Sequence, residues 1–411
     1  MSKVVSVADV RSSLIERREI ALIDVREEAT FAESHPLFAA SLPHGRLELE
    51  VLDRIPRLNA PIVVYDGGEG WAQKAQVQLR ELGYTDVSVL EGGLRAWDSA
   101  GAELFRDVNV PSKAFGELVE ATRHTPSIEP HELRRKLDAA ENVVVLDARR
   151  FEEYHVMSIP SAISVPGAEL VLRVRDLAPD PTTWVVVNCA GRTRSIIGAQ
   201  SLINAAIPNP VAALRNGTIG WSLAGLALEH LQVRSHDTSL KGEAPSAART
   251  LAKRAGVGSV DWDTLCAWVR DPARTVYRFD VRTPQEYGAR HPAGFRSAPG
   301  GQLVQETDAF APVRGARIVL TDDDGVRANM TASWLAQMGW DVFVLATWPH
   351  EDDWEYGLGI VHRPLLPQAG RYKRPYEGTD NPREAMQAYL DWEYGLVEQL
   401  RRDGTHHFRV L

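Results

Sequence analysis

Apolar positions along this chain fall into short solid runs and longer periodic stretches, and the order of the two repeats. LIDVREEATF from Leu22, VLDARRFEEY from Val145 and RFDVRTPQEY from Arg278 each pass from apolar residues into Asp-x-Arg, a polar turn and an aromatic residue. Their anchor aspartates, Asp24, Asp147 and Asp280, lie 123 and 133 residues apart. A second run follows each anchor: IVVYD, WVVVNC and IVLTD end at Asp66, Cys189 and Asp322, each 42 positions after its anchor. Third runs, VSVL, VAAL and VFVL, end at Leu90, Leu214 and Leu345. Short apolar runs of this kind predict strands buried on both faces. QKAQVQLRELG, SIIGAQSLINAA and NMTASWLAQMG, between the second and third runs, space their apolar residues three and four apart and predict helices. Further helical patterns precede the anchors and open on Ser6, Ser127 and Ser259, with acidic residues close behind. Only Ser6 and Asp9 have the spacing of a capping box.

Self-similarity on this scale marks tandem units. Strands alternating with helices predict a parallel sheet with helices on both faces. The chain therefore reads as an α/β protein of three such units, over 1–110, 111–240 and 241–360, followed by a C-terminal helical extension over 361–411. Linkers are expected around Val110–Pro126 and Ser235–Ala248. In the extension, Asp380-Asn381-Pro382 suits a helix start. Met386, Tyr389, Trp392 or Glu393, Leu396 and Leu400 then line one face through Arg401, as expected of a helix packing across the units.

Composition narrows the function. The 411 residues are 44% hydrophobic and 25% charged, as in a soluble globular chain. No apolar run approaches the roughly 18 residues of a membrane helix. The first residues lack an apolar signal core, so a cytoplasmic location is expected. A net charge of −9 without a basic block argues against nucleic-acid and anionic-membrane partners. Two cysteines, Cys189 and Cys266, exclude a disulfide framework and a thiolate-rich zinc site. Asp322-Asp323-Asp324 lacks the alternate spacing of a calcium loop. His155 and His406-His407 show no ligand spacing, so neither a metal nor another cofactor is expected.

Ligands of open α/β sheets bind where strand ends lead into helix N-termini. Of the three equivalent loops, Asp66-Gly-Gly-Glu-Gly-Trp-Ala, Cys189-Ala-Gly-Arg-Thr-Arg-Ser and Asp322-Asp-Asp-Gly-Val-Arg-Ala, the middle one alone offers a nucleophile. A helix dipole starting near Ser195, a nest of backbone amides, and Arg192 and Arg194 are expected to lower the Cys189 pKa from about 8.5. Cys266, inside LCAWV, reads as an inert thiol on a buried helix face.

The repeated Asp-x-Arg, the cysteine loop and VSVLEGGLRAW (Val87 to Trp97) resemble the rhodanese, or sulfurtransferase, family over residues 1–360. CAGRTR looks like that family's six-residue active loop. The Gly-Gly-Trp signature loosens to RNGTIGW in the middle unit and is absent from ATWPHEDDW in the third. The resemblance implies that Cys189 takes a sulfane sulfur from an anionic donor such as thiosulfate, becomes a persulfide, and passes the sulfur to cyanide, a small thiol or a protein thiol. It implies that Ala190, Gly191, Arg192, Thr193, Arg194 and Ser195 bind substrate. Asp147 and Arg149 are expected to brace the loop. Glu153 stands where two-domain thiosulfate sulfurtransferases carry an Arg, which leaves the donor open. Two other readings remain open at this point: a non-enzymatic scaffold, and a cysteine phosphatase or arsenate reductase, whose loop has one more residue between Cys and Arg. Asp66 and Asp322 at the nucleophile position are expected to make the outer units chemically silent.

Overall fold

The computed structural model describes residues 3–236, 244–358, 370–374 and 376–411. Each predicted run becomes a strand. In the first unit, β1 (Val4–Val5), β2 (Ile20–Asp24), β3 (Ala40–Ser41), β4 (Ile62–Tyr65) and β5 (Val87–Leu90) pair in parallel in the order β1-β5-β4-β2-β3. The middle unit repeats this with β6 (Ser127–Ile128), β7 (Val143–Asp147), β8 (Ile163–Ser164), β9 (Trp184–Asn188) and β10 (Val211–Leu214), in the order β6-β10-β9-β7-β8. In the third unit the strands are β11 (Gly258–Val260), β12 (Val276–Asp280), β13 (His291–Pro292), β14 (Arg296–Ser297), β15 (Val313–Arg314), β16 (Arg317–Thr321), β17 (Asp341–Leu345) and β18 (Trp354–Glu355). Five of them repeat the order as β11-β17-β16-β12-β14, again in parallel. β4 is buried along its whole length and β9 along all but Trp184, which explains their unalternating Val and Ile.

Two pairings break the purely parallel expectation. β13 and β18 form an antiparallel ribbon, and β15 crosses to the first unit, pairing antiparallel with β2 so that Val313 faces Ala21. The units are accordingly not beads on a string. One apolar cluster joins Ile23 and Val64 of the first sheet to Phe279 and Leu320 of the third, with Phe115 and Trp334 between them. A second joins Leu146, Val187 and Leu202 of the middle unit to Leu251 and Met330 of the third. Each large side chain buried there contributes about 1.5–3 kcal/mol.

The stretch expected as a linker, Val110–Pro126, is instead mostly a 14-residue helix, Val110–Arg123. Pro111 sits in its first turn, where proline is tolerated. Gly116 brings it so close to helix Thr193–Asn204 that a Cβ there would meet Thr193 Cγ2 at 2.9 Å. Phe115 packs edge-on against Trp334 and Phe408. The second expected linker lies partly outside the described residues, and its end opens helix Ala244–Ala255. The expected unit boundaries at 240/241 and 360/361 also lie outside them. Ser6 does form its capping box with Asp9. Ser127 and Ser259, however, belong to β6 and β11, and their helices begin after Glu129 and Asp261. The single C-terminal helix is in fact two, Pro382–Tyr394 and Leu396–Asp403, divided at Gly395. Of the expected face, Glu393, Leu396 and Leu400 are buried together with Leu390, while Met386, Tyr389 and Trp392 are half-buried. Among the described residues no helix is long and apolar enough to cross a membrane.

Candidate active site

The three Asp-x-Arg anchors build the same brace. Arg149 grips Asp147 through two bonds of 2.8 and 2.7 Å and donates to the Met157 carbonyl at 2.6 Å. Arg26 with Asp24 and Ser34, and Arg282 with Asp280 and Arg290, repeat it. Both members of the middle pair are buried, so their charges persist only because each satisfies the other. Asn188, at the end of β9, donates to Asp147 at 2.8 Å and ties the brace to the residue before Cys189. Asp147 and Arg149 thus support the loop from beneath it.

Cys189 directly follows β9, with 2% of its surface exposed. Its Sγ lies 3.5 Å from Ser195 Oγ, and the Ser195 hydroxyl donates to the Arg192 carbonyl at 2.7 Å. The loop is held from above by the start of helix Gly217–Leu223. Thr218 N–H donates to the Cys189 carbonyl at 2.9 Å and Ile219 N–H to the Ala190 carbonyl at 3.0 Å. Gly217 makes this approach possible: its φ is +54°, and a Cβ would stand 2.3 Å from the Cys189 oxygen. The glycine of the loosened RNGTIGW motif therefore fixes the loop backbone.

The two loop arginines, treated alike from sequence, have different surroundings. Arg194 makes two bonds to Glu153, at 2.7 and 3.0 Å, and Arg374 of the C-terminal segment adds a third at 3.0 Å. Burial pushes Glu153 up, but Arg194, Arg374 and Arg150 outweigh it and hold the carboxyl well below its usual range. Glu153 is therefore an ionised clasp. Arg192, expected to face an incoming anion, is buried against Glu117 at 2.7 and 2.9 Å, and also bonds Glu120. It reaches Tyr394 and Asn216 as well, with the Tyr394 ring 4.0 Å from the guanidinium carbon. Its charge is matched by two carboxylates of helix Val110–Arg123. That is a correction to the expectation, and its cause is the helix that the sequence presented as a linker.

A second correction concerns the thiol. Burial pushes the Cys189 pKa above its ordinary value; Arg194 and Ser195 oppose that, and Glu393 adds to it. The nest and charges act in the expected direction, but removal of water outweighs them. The cover comes from the C-terminal segment. A cavity of about 520 Å³ opens over the loop, lined by Cys189 and Ala190 through Arg194, by Lys113, and by Arg374, Tyr389 and Glu393 of the extension. Ser195 lies behind it, buried. Glu117, Arg374, Tyr389, Tyr394 and Glu393 were missed as site residues. The signal for the last was an acid in an otherwise apolar helical stripe. Cys266, expected to be buried, is half-buried on helix Trp262–Arg270 and does not line this cavity. Among the described residues no cluster of His, Cys, Asp and Glu could hold a metal.

In the outer loops the aspartates turn inward. Asp66 accepts from the amides of Gly68 at 2.8 Å and Ala72 at 2.9 Å. Asp322 accepts from Gly325 at 3.1 Å and Ala328 at 2.8 Å. The Arg194–Glu153 pair recurs as Arg327–Glu286, but Arg327 is also held by Glu169, Asp323 and Asp324.

Fold and site together define a tandem α/β protein with one cysteine loop. The family model of the Rhodanese-like domain matches residues 6–100 and 129–224. Thiosulfate sulfurtransferase of Pseudomonas aeruginosa is 30% identical over 217 residues, 43% of this chain and 79% of that protein. Thiosulfate sulfurtransferase of Azotobacter vinelandii is 26% identical over 246 residues, 50% of this chain and 89% of that protein. The crystal structure of thiosulfate sulfurtransferase from Pseudomonas aeruginosa is similar over 100% of both chains, with 49% identity and a TM-score of 0.93. The chain belongs to the rhodanese family and is a sulfurtransferase. The third unit, unmatched by the family model, shares the strand order of the other two.

Proposed function

We propose that this enzyme moves a sulfane sulfur from an anionic donor, with thiosulfate the first candidate, through a Cys189 persulfide to cyanide or a thiol. The observation that carries the reading is the difference among three equivalent loops. Asp66 and Asp322 fill their own loops with carboxylate oxygens, whereas Cys189 places a sulfur at the floor of a cavity. A thiolate attacks sulfur readily and, with its charge supported, also leaves readily, which both halves of a transfer need. In this reading Arg194 balances the donor's charge, and the loop backbone from Ala190 to Ser195 cradles the outer sulfur. Arg192 anchors the loop to helix Val110–Arg123 rather than holding the donor. Asp147, Arg149 and Glu153 position the loop, and the outer units act as silent walls.

Incubation with thiosulfate followed by intact-protein mass spectrometry tests this. One added sulfur per chain, lost on adding cyanide and absent in Cys189→Ser, is the expected result. A wild-type protein that never gains sulfur from any sulfane donor overturns the reading. Turnover of a chromogenic phosphate ester would point instead to phosphatase chemistry.

A further inference from the structure

Glu393 is a buried acid that the transfer described above leaves unused. It lies in helix Pro382–Tyr394 and is 1% exposed. The Tyr389 hydroxyl donates to its Oε1 at 2.9 Å. Its Oε2 is buried and, among the described residues, without a partner. That oxygen lies 3.3 Å from where a Cβ on Gly191 would stand, directly against the Cys189 loop, and Glu393 and Cys189 line the same cavity. A buried carboxylate oxygen left unsatisfied costs free energy, so it calls for an explanation. The groups facing it are Lys113 and Glu117 from helix Val110–Arg123, Arg192 and the Cys189 thiol from the loop, Tyr376 from the preceding segment, and Tyr389 from its own helix. Burial and Glu117 push the carboxyl up, Lys113, Tyr389 and Arg192 pull it down, and it settles at about 7. A carboxyl so placed exchanges a proton near neutrality, and it shares the cavity with a thiol whose pKa burial raises.

We propose that Glu393 is the proton-transfer group of the Cys189 site, taking the thiol proton as the donor is attacked and returning it when the cysteine leaves. The inference rests on the persulfide route above. In the first half, the Glu393 carboxylate takes the Cys189 proton through a water of the cavity they share, and the thiolate bonds the sulfane sulfur of thiosulfate. The bond from that sulfur to sulfite breaks, and sulfite departs with the electron pair. A persulfide anion and a neutral Glu393 remain. In the second half, the cyanide carbon bonds the outer sulfur, the S–S bond breaks towards Cys189, and thiocyanate leaves. Cys189 then recovers its proton from Glu393. A thiol acceptor uses the same carboxyl: Glu393 protonates the persulfide, takes the acceptor's proton, and hands that proton to the departing Cys189.

The test is the rate of persulfide loading from thiosulfate across a range of pH, read by intact mass in single turnovers. In the wild type the rate rises with pH through about 7, as Glu393 ionises. In Glu393→Gln this inflection disappears and loading at pH 7 falls on the order of 100-fold. It recovers only in alkaline solution, where the thiol ionises unaided. Glu393→Asp retains the inflection. A retained inflection in Glu393→Gln, or an equal loss at every pH, overturns the proposal. Should Glu393→Gln fail to fold, Tyr389→Phe decides: losing a bond that favours the charged carboxylate must move the inflection upward, and an unmoved inflection overturns the proposal. Failure of the wild type to load at any pH would instead overturn the persulfide reading itself.

Discussion

The outer loops and the middle loop share a backbone course but differ in what occupies its centre. Asp66 and Asp322 each reach the amide six residues on, at 2.9 and 2.8 Å, and so cap the helix behind them with their own carboxylates. At the same place in the middle loop Cys189 has a thiol, and its Sγ meets the Ser195 hydroxyl only at 3.5 Å. One loop type is closed by its own carboxyl group, and the other is not. Arginine follows the same division. Arg327 is enclosed by Glu169, Glu286, Asp323 and Asp324, whereas Arg194 is held, among the described residues, by Glu153 alone and stays on the cavity wall. A fold is thus kept three times over while one copy alone presents a cysteine at the end of its second long strand.

The largest expected effect tests that division directly. Cys189→Ser should reduce thiosulfate:cyanide transfer to background, while Cys266→Ser stays within about twofold of the wild type. Sulfur found by peptide mapping anywhere but Cys189 would break the comparison. Next come the two arginines. Arg194→Ala should slow persulfide loading by about 100-fold, the scale of removing one preorganised charge from a reacting centre. Arg192→Ala should act on stability, by about 3–5 kcal/mol in urea, because it leaves Glu117 buried and unpaired. If Arg192→Ala lowers loading as much as Arg194→Ala without loss of stability, the contrast between them is wrong.

Much of this was legible in the sequence because strands buried on both faces write themselves as solid apolar runs. The constant spacing between β2 and β4, β7 and β9, and β12 and β16 survives as one register of the sheet, with Asp24 opposite Tyr65, Asp147 opposite Asn188 and Asp280 opposite Thr321. Cys189, its loop and the Asp147–Arg149 brace were legible for the same reason, being local to strand ends. What was not legible is long-range. Val110-Pro111-Ser112 has the composition of a linker, and only contact with Thr193 and Trp334 makes it a buried helix that carries Glu117 to Arg192. Nothing near Cys189 in the chain announces Glu393, which arrives from two hundred residues away on the helix that covers it. The raised thiol pKa follows from that cover, so it too was out of reach of local reasoning.

Glu153 sharpens the comparison at intermediate size. Its pKa is depressed, so its contribution is complete above the unfolded value of about 4.3 and is lost as pH falls through the lower folded value. Glu153→Gln should cost about 2–4 kcal/mol at pH 7, since Arg194 loses its part-buried partner. The cost should shrink only in strongly acidic urea titrations. A cost that is the same at pH 3 as at pH 7 would mean that the pair contributes shape rather than charge.

The smallest expected effect separates the closed loops from the open one by the sign of a slope. Burial, then Asp324 beside it, pushes Asp322 up to about 8, while the amides of Ala328 and Gly325 pull the other way. A carboxyl whose folded pKa lies above its unfolded value of about 4 contributes stability below that value, and loses it as pH rises towards the folded one. The wild type should therefore lose stability through this group between about pH 4 and pH 8, and Asp322→Asn should not. Asp322→Asn exchanges one accepting oxygen for a donor, so at pH 4 it should be less stable by about 1 kcal/mol. That deficit should close by about 1 kcal/mol or more on going to pH 8 and then stay constant. Equilibrium urea unfolding of both proteins across this range reads the difference, in which the other titrating groups cancel. Parallel curves would mean that the third loop bears its carboxylate without penalty, and so has room for a second anion. A closing deficit would mean that one negative charge already strains it, which leaves the middle loop as the place where a dianionic donor finds its electrostatics satisfied.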